Sequence, residues 1–289
     1  MIPPAFEYLR PSTIPEAIAL LQQHGEDAKI LSGGQSLIPM MKLRIARPAF
    51  LIDINRIAGL SYVKEEGGVL KIGGLTRESE LESSPLVCAK YPILTDTTHV
   101  IADPQVRNLA TVGGNLAHGD PANDHPATML ALSAQVVATG ARGERIIPIE
   151  EFFLSIFSTA LQQGEILTEI RVPVPPPHSG GAYFKLERKV GDFATAAVAA
   201  QVTLDGSGAV QKVGIGLTNV GPTPIKAKKA EDFLRGKKLD EANIRQAAQL
   251  AADEAQPSSD LRGPAEYKKG LVKELAKRAL SRAAERAGK

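Results

Sequence analysis

The stretch Pro173-Val174-Pro175-Pro176-Pro177 constrains this chain more than any other. Four prolines in five positions remove four backbone donors and hold φ near −65°. Neither a helix nor an interior strand can run through them. The run separates residues 1–173 from residues 178–289 of the 289-residue sequence. At roughly 100–200 residues per domain, that length predicts two to three domains, each able to bury a core without a metal or disulfide staple.

Before the proline run, the hydrophobic pattern describes two α/β units. Thr13-Ile14-Pro15-Glu16 fits a helix start, with a capping residue, a first-turn proline and an acidic third position. Ala17, Ile18, Leu20 and Leu21 continue it as an apolar stripe that stops at Gly25. Ala28–Leu31 and Phe50–Ile54 read as strands, with Asp53 and Asn55 turning the chain. This first unit covers 1–56. The second, 57–173, has strands at 69–72, 146–149 and 166–172, and helices near 77–81 and 92–101. A further apolar run from Pro126 to Ala138 reads as helix and then strand. After the prolines, 181–187, 194–204 and 210–218 read as strands, with Asp205-Gly206-Ser207-Gly208 as the turn between the last two. Helices follow at 240–256 and 265–287. Strands followed by helices make the third unit, 178–289, an α+β domain.

Composition excludes several function classes. Basic and acidic residues number 34 and 32, a net charge of +2, which gives no electrostatic footprint for nucleic acid or an anionic membrane. The absence of Trp and the 4% aromatic content also argue against base-stacking platforms, so nucleic acid is not expected as a partner. No run of about 18 uncharged apolar residues exists to serve as a transmembrane segment. The N-terminal sequence lacks signal-peptide architecture, so a cytoplasmic location is expected. Cys88 is the sole cysteine, which precludes an internal disulfide and a cysteine-ligated iron–sulfur cluster within this chain. Any redox chemistry here needs an organic cofactor. Cys88 itself is expected as a small buried apolar residue, and Met40-Met41 as core filler.

The common nucleotide and hydrolase motifs are missing. There is no GxxxxGK[ST] loop. Gly214-Ile215-Gly216 is followed by Asn219 where a dinucleotide fingerprint needs glycine, and Gly34-Gln35-Ser36 is followed by Ile38 where a nucleophile elbow needs glycine. Two Gly-Gly pairs remain, in Ile30-Leu31-Ser32-Gly33-Gly34-Gln35-Ser36-Leu37 and in Thr111-Val112-Gly113-Gly114-Asn115. Without a Cβ, successive N–H groups in such turns can form an anion-binding nest, and two nests could hold the two phosphates of a dinucleotide. Spacing alone equally describes two ordinary tight turns. His118, Asp120, Asp124 and His125 carry metal-ligand chemistry, but their spacing matches no helical ligand pair. A polar turn whose aspartates cap the next helix is the simpler reading, and no metal is expected. Lys185, Glu187 and Lys189 alternate, which would put them on one strand face, either as a solvated edge or with a cation turned to an interdomain cleft.

Taken together, these segments resemble a known family. The first Gly-Gly run, Ile101-Ala102-Asp103-Pro104-Gln105-Val106-Arg107-Asn108, the second Gly-Gly run and Gly191-Asp192-Phe193-Ala194-Thr195 are similar to the FAD-binding medium subunit of the molybdenum hydroxylases. Ser36–Arg44 and His118–Ala127 look most like the carbon monoxide dehydrogenase branch. The likeness spans essentially the whole chain. It implies an α+β protein: a two-subdomain α/β FAD-binding unit of the PCMH or vanillyl-alcohol-oxidase type, plus a C-terminal antiparallel sheet with helices. It implies non-covalent FAD, with Ile30, Leu31, Ser32, Gly33, Gly34, Gln35, Ser36 and Leu37 on one side of the pyrophosphate and Thr111, Gly113, Gly114 and Asn115 on the other. Further contacts are implied at Asp124, Leu161 and Lys185, with Ile101, Ala102, Asp192 and Phe193 by the isoalloxazine. Two positions depart from relatives, Gln35 where histidine is found and Asn115 where an acidic residue often stands. Neither change removes a backbone N–H.

The resemblance also implies partners: a large molybdenum-cofactor subunit, a small 2Fe–2S subunit, and quinone or NAD as electron acceptor, in a heterohexamer. Flavin is stable at three oxidation levels and so can collect single electrons and release a pair. No residue of this chain is assigned a catalytic role. Two other classes remain open on sequence, a stand-alone flavin oxidoreductase of the same FAD fold and a non-redox scaffold.

Overall fold

A computed structural model describes residues 1–288. Lys289, the last residue of the expected third domain, lies outside them. The chain builds three main sheets in sequence order. The first is fully parallel, in the order β1-β3-β2, from β1 (Glu7–Leu9), β2 (Ala28–Leu31) and β3 (Phe50–Asp53). Between β1 and β2 runs α1 (Ile14–His24). Thr13 caps it by accepting the Glu16 N–H, and Ala17, Ile18 and Leu21 are its buried stripe. A short helix, α2 (Leu37–Lys42), follows β2 and buries Met41. The sequence pattern missed β1 because three half-exposed residues carry no readable alternation.

The second sheet is antiparallel throughout, in the order β4-β5-β10-β6-β7. β4 (Val63–Glu66) and β5 (Val69–Gly73) form a hairpin closed by Gly67-Gly68, both at positive φ, as a two-residue turn of that twist demands. The α-helices of this unit come as one run after β5: α3 (Glu78–Glu82), α4 (Pro85–Lys90), α5 (Pro92–His99), α6 (Pro104–Arg107), α7 (Val112–Ala117) and α8 (His125–Leu132). β6 (Gln135–Gly140), β7 (Gly143–Pro148), the small hairpin β8 (Phe153–Ser155) with β9 (Ser158–Thr159), and β10 (Ile166–Pro173) complete it. Cys88 is exposed, contrary to the expectation of burial. Its neighbour Val87 fills the core, and successive helical residues point about 100° apart.

β10 ends at Pro173, and 174–178 carry no regular structure before the third sheet begins. That sheet is an antiparallel meander of β11 (Ser179–Leu186), β12 (Ala196–Leu204), β13 (Val210–Thr218) and β14 (Ile225–Lys226). Three helices follow: α9 (Lys228–Leu234), α10 (Glu241–Glu254) and α11 (Ala265–Ala287). β12 is buried on both faces over most of its length, which explains its apolar run from Ala196 to Ala200. Ala196, Val198, Ala200 and Val202 join the core under α10 and α11, while Ala197 and Ala199 join the core of the second sheet. α8 lies so close to β13 that a Cβ on Gly216 would sit 2.0 Å from the Ala127 carbonyl oxygen. The third sheet is thus packed directly against the second unit. No helix among the described residues is long and apolar enough to cross a membrane.

Candidate functional site

The two glycine runs meet. β2 delivers Ser32-Gly33-Gly34-Gln35-Ser36 as a loop into α2, with Gly34 at φ +73°. The N–H groups of Gly33, Gly34, Gln35 and Ser36 donate to no atom among the described residues, leaving four adjacent donors for a ligand. Gly33 touches the second run: a Cβ there would lie 2.5 Å from the Leu109 carbonyl oxygen and 2.7 Å from Ala110 Cα. Ser32 Oγ and Thr111 Oγ1 are 3.2 Å apart across the same junction.

The second pair sits in the first turn of α7 rather than in a free turn. Thr111 is its N-cap, and its hydroxyl accepts the Gly114 N–H at 3.1 Å. Gly114 faces the first loop. Gly113 faces the other way, and a Cβ on it would meet the Gly74 carbonyl oxygen at 2.4 Å. Gly33, Gly34 and Gly114 therefore line the cavity described next, whereas Gly113 is a packing residue behind it. Gly113, expected among the pyrophosphate contacts, is not among the residues that line the cavity.

The loops form one wall of a cavity of about 710 Å³. Ile30, Leu31, Ser32, Gln35, Ser36 and Leu37 line it from the first unit, and Thr111, Asn115, Asp124 and Leu161 from the second. Ile101 and Ala102 close one end, where Ala102 takes a left-handed φ of +46°. They abut the segment after β11, a Cβ on Gly191 being 3.0 Å from the Ala102 carbonyl oxygen. Asp192 and Phe193 of that segment line the same end, and Phe193 stays 45% exposed.

Lys185 lines the cavity, and its ammonium is held largely by groups of the chain itself. Its ammonium, on a side chain 2% exposed, donates to the Val100 carbonyl at 2.9 Å and to Asp124 at 3.0 Å, and lies 3.3 Å from Glu187. The Tyr183 hydroxyl donates to the other Asp124 oxygen at 2.5 Å. Burial pushes the Asp124 carboxyl above its usual range, against the opposing pull of Lys185 and Tyr183. Burial, followed by the Asp124 charge, raises the Tyr183 phenol well above its ordinary value. Lys185 thus serves as the counter-ion of a buried network under the cavity floor. The alternation of three charged residues on one face fails because β11 ends at Leu186 and Lys189 is exposed beyond it.

The His118–His125 segment divides among separate partners. Asp120 accepts the Ala122 N–H at 2.9 Å, holding the turn. Asp124 occupies the N-cap position of α8 without capping it, its oxygens being taken by Tyr183 and Lys185. His125 pairs at 2.7 Å with Glu78, both fully buried. His118 lines the cavity beside Phe157, their rings 5.1 Å apart, and burial lowers its pKa. Sequence reasoning passed over His118 and Phe157 as cavity residues. Phe157 arrives on the β8–β9 turn at φ +56°, some forty positions along the chain, with no local signal of where it lands. Met40, expected in the core, also lines the cavity, while Met41 is buried.

These residues fit a flavin dinucleotide. The first loop has four free N–H donors, the loop junctions have no room for a Cβ, and the buried Asn115 Oδ1 is left without a partner at the cavity wall. The volume lies in the range of cofactor pockets. Comparison with known proteins agrees. The family described as FAD binding domain in molybdopterin dehydrogenase matches residues 4–175, and CO dehydrogenase flavoprotein C-terminal domain matches 181–283. The chain belongs to the FAD-binding medium subunits of the molybdenum hydroxylases: it is an oxidoreductase subunit whose cofactor is FAD.

Within that family it is similar to the carbon monoxide dehydrogenase medium chain of Hydrogenophaga pseudoflava, 47% identical over 283 residues, with 98% of each chain covered. The corresponding chain of Afipia carboxidovorans is 46% identical over 287 residues, 99% of each. The fold matches a chain of the solved Hydrogenophaga pseudoflava carbon monoxide dehydrogenase that lacks the Mo-pyranopterin moiety. The TM-score is 0.96 at 48% identity, over 99% of both chains.

Proposed function

We propose that this chain is the electron-transfer subunit of a carbon monoxide dehydrogenase-like complex. It would take electrons from the 2Fe–2S clusters of a small partner subunit and deliver them to a quinone or NAD. A large partner subunit would hold the molybdenum cofactor and the reducing substrate, in a cytoplasmic heterohexamer. FAD supplies the chemistry when bound, because its three stable oxidation levels convert single-electron delivery into two-electron release.

The observation that carries this reading is the row of unpaired N–H groups at Gly33 to Ser36 on the wall of a cavity of cofactor size. Asp124, Lys185 and Tyr183 hold one another in a buried network, and we assign them a structural role. We assign this chain holding and orienting roles. The free N–H groups of Gly33 to Ser36 would bind the pyrophosphate on its anionic oxygens, with Gly114 and Asn115 opposite. Ile101, Ala102 and Phe193 would hold the isoalloxazine, and the half-exposed Phe193 marks the end at which electrons enter or leave.

Visible absorption of the purified full chain, before and after acid precipitation, tests the reading. A yellow supernatant is expected, from non-covalent FAD. A yellow pellet would indicate the covalent link of a stand-alone flavin oxidase, and a colourless protein a non-redox scaffold. Rapid reduction of the bound flavin on mixing with the pre-reduced 2Fe–2S subunit then tests the electron-transfer role, and its absence refutes it.

A further inference from the structure

Asn55 and Arg77 lie behind the two glycine loops rather than among the residues lining the cavity. The Asn55 side-chain amide donates to the Ser32 carbonyl at 2.7 Å and to Asp53 Oδ1 at 2.6 Å. The Asn55 backbone N–H also donates to Asp53 Oδ1, at 2.9 Å, and Asp53 is held in turn by the Tyr8 hydroxyl. Asn55 Oδ1 accepts from Arg77 Nη2 at 2.7 Å. The other terminal nitrogen, Arg77 Nη1, donates to the Leu109 carbonyl, immediately before the second loop. A continuous hydrogen-bonded path thus runs from the Ser32 carbonyl, through one amide and one guanidinium, to the Leu109 carbonyl.

The path closes a ring. On its cavity side the same two loops touch, Gly33 against the Leu109 carbonyl and Ser32 Oγ against Thr111 Oγ1. Backbone bonds fix the Arg77 end, Glu78 N–H to Ala110 O and Val112 N–H to Thr76 O, both at 3.0 Å. The chemistry at each node is demanding. Asn55 must donate from nitrogen and accept on oxygen at once, which a carboxylate cannot do. Arg77 must reach two acceptors with the two arms of one planar fork, which an ammonium on a flexible stem does not reproduce.

We propose that Asn55 and Arg77 brace the two glycine loops at a fixed separation, and that this separation selects a ligand whose linked phosphates span both loops, a dinucleotide, over a mononucleotide. The proposal rests on the reading of the cavity as an FAD site. A diphosphate that meets both loops is sensitive to their spacing, because a displacement of about 1 Å spoils charge-assisted hydrogen bonds. A single phosphate engages one loop and follows it. Asn55 and Arg77 are therefore positioning residues, acting through Ser32 and Leu109.

The test uses the full chain stripped of flavin and titrated with FAD and with FMN by fluorescence, for the wild type, Asn55→Ala, Arg77→Lys and the double variant. Each single change is expected to weaken FAD about tenfold to 100-fold, the range for losing hydrogen bonds to and from charged or buried groups. FMN affinity is expected to stay within about threefold of wild type, and so is the double variant relative to its weaker single parent, because a path cut once is already cut. FAD and FMN weakening together, multiplicative losses in the double variant, or undiminished FAD affinity would each overturn the brace. A wild-type chain that binds FMN but not FAD overturns the functional reading and the brace together, whereas wild-type FAD binding with unaffected variants overturns the brace alone. If Asn55→Ala does not fold, Arg77→Lys keeps the charge and leaves Asn55 in place, and it carries the FAD-against-FMN comparison.

Discussion

Gly33→Ala adds one carbon where none fits. Its Cβ would stand 2.5 Å from the Leu109 carbonyl oxygen, 2.7 Å from Ala110 Cα and 3.0 Å from Thr111 N, whereas ordinary contact begins at about 3.4 Å. All three atoms are backbone, so no side chain can swing away, and the two glycine loops must separate. Overpacking of this kind costs about 1–3 kcal/mol. In the flavin-free chain the side-chain hydrogen bonds of Asn55 and Arg77 resist that separation, and they can lengthen to relieve part of it. With both loops engaged on one pyrophosphate they cannot, so the cost falls on binding. At 1.4 kcal/mol per decade, FAD affinity should drop roughly fivefold to 150-fold, with a small change in the melting temperature of the flavin-free chain. Gly113→Ala makes the contrast. Its Cβ would strike the Gly74 carbonyl at 2.4 Å, away from the cavity, so the same strain falls on folding. Its melting temperature should drop by about 2–12 °C, from roughly 2–4 °C per kcal/mol at this size, with less loss of FAD affinity than Gly33→Ala. Flavin fluorescence titration beside thermal melting separates the two. If Gly33→Ala keeps FAD affinity within about threefold of wild type, or if Gly113→Ala loses the more affinity and the less stability, the assignment of faces to these glycines is wrong.

Lys185→Met should destabilise the chain by about 3–5 kcal/mol at neutral pH, because it strands the Asp124 carboxylate in a buried site. Adding Asp124→Asn should recover most of that, as read by denaturant unfolding. In the Lys185→Met chain the Asp124 pKa rises further above its unfolded value. The deficit should therefore narrow as pH falls and the carboxyl takes up its proton, and a deficit that widens on acidification would contradict this. Partial burial pushes Asp192 up, but hydrogen bonds from Arg188 and Arg262 outweigh it and hold its pKa at about 2. A depressed carboxylate contributes stability above its ordinary pKa and loses it as pH falls through the folded value. The melting difference between wild type and Asp192→Asn should thus be full above pH ~4 and shrink toward pH ~2. The isolated chain should be bleached by dithionite but not by carbon monoxide, aldehydes or purines. Substrate-driven bleaching would mark it as a complete enzyme.

Local rules made much of this molecule readable from its residues. Thr13 and Pro15 start α1 because a cap and a fixed φ act within four residues. The prolines of 173–177 end β10 for equally local reasons, and the period of four in Tyr267, Leu271, Leu275 and Ala279 suits α11, three of the four being packed against the C-terminal core. The Gly67-Gly68 hairpin rests on equally local chemistry, two adjacent glycines at positive φ. Nothing local says which way a glycine without a side chain will face. Gly113 and Gly114 are neighbours, yet one packs on Gly74 and the other on Ser32, because a helical turn rotates adjacent residues about 100° between two different walls. The same limit hid the fate of Lys185. Its charge is evident in the sequence, but its acceptors, Val100 and Asp124, stand 85 and 61 positions away. They reach its ammonium because α5, whose C-cap is Val100, and α8, which begins after Asp124, both pack onto the third sheet. Phe157 beside His118, and Asn55 joined through Arg77 to Leu109, are settled in the same way. Residue type and spacing determine the elements and the chemistry available to this chain. Which donors stay free for a ligand is decided by contacts between segments that only the packed sheets bring together.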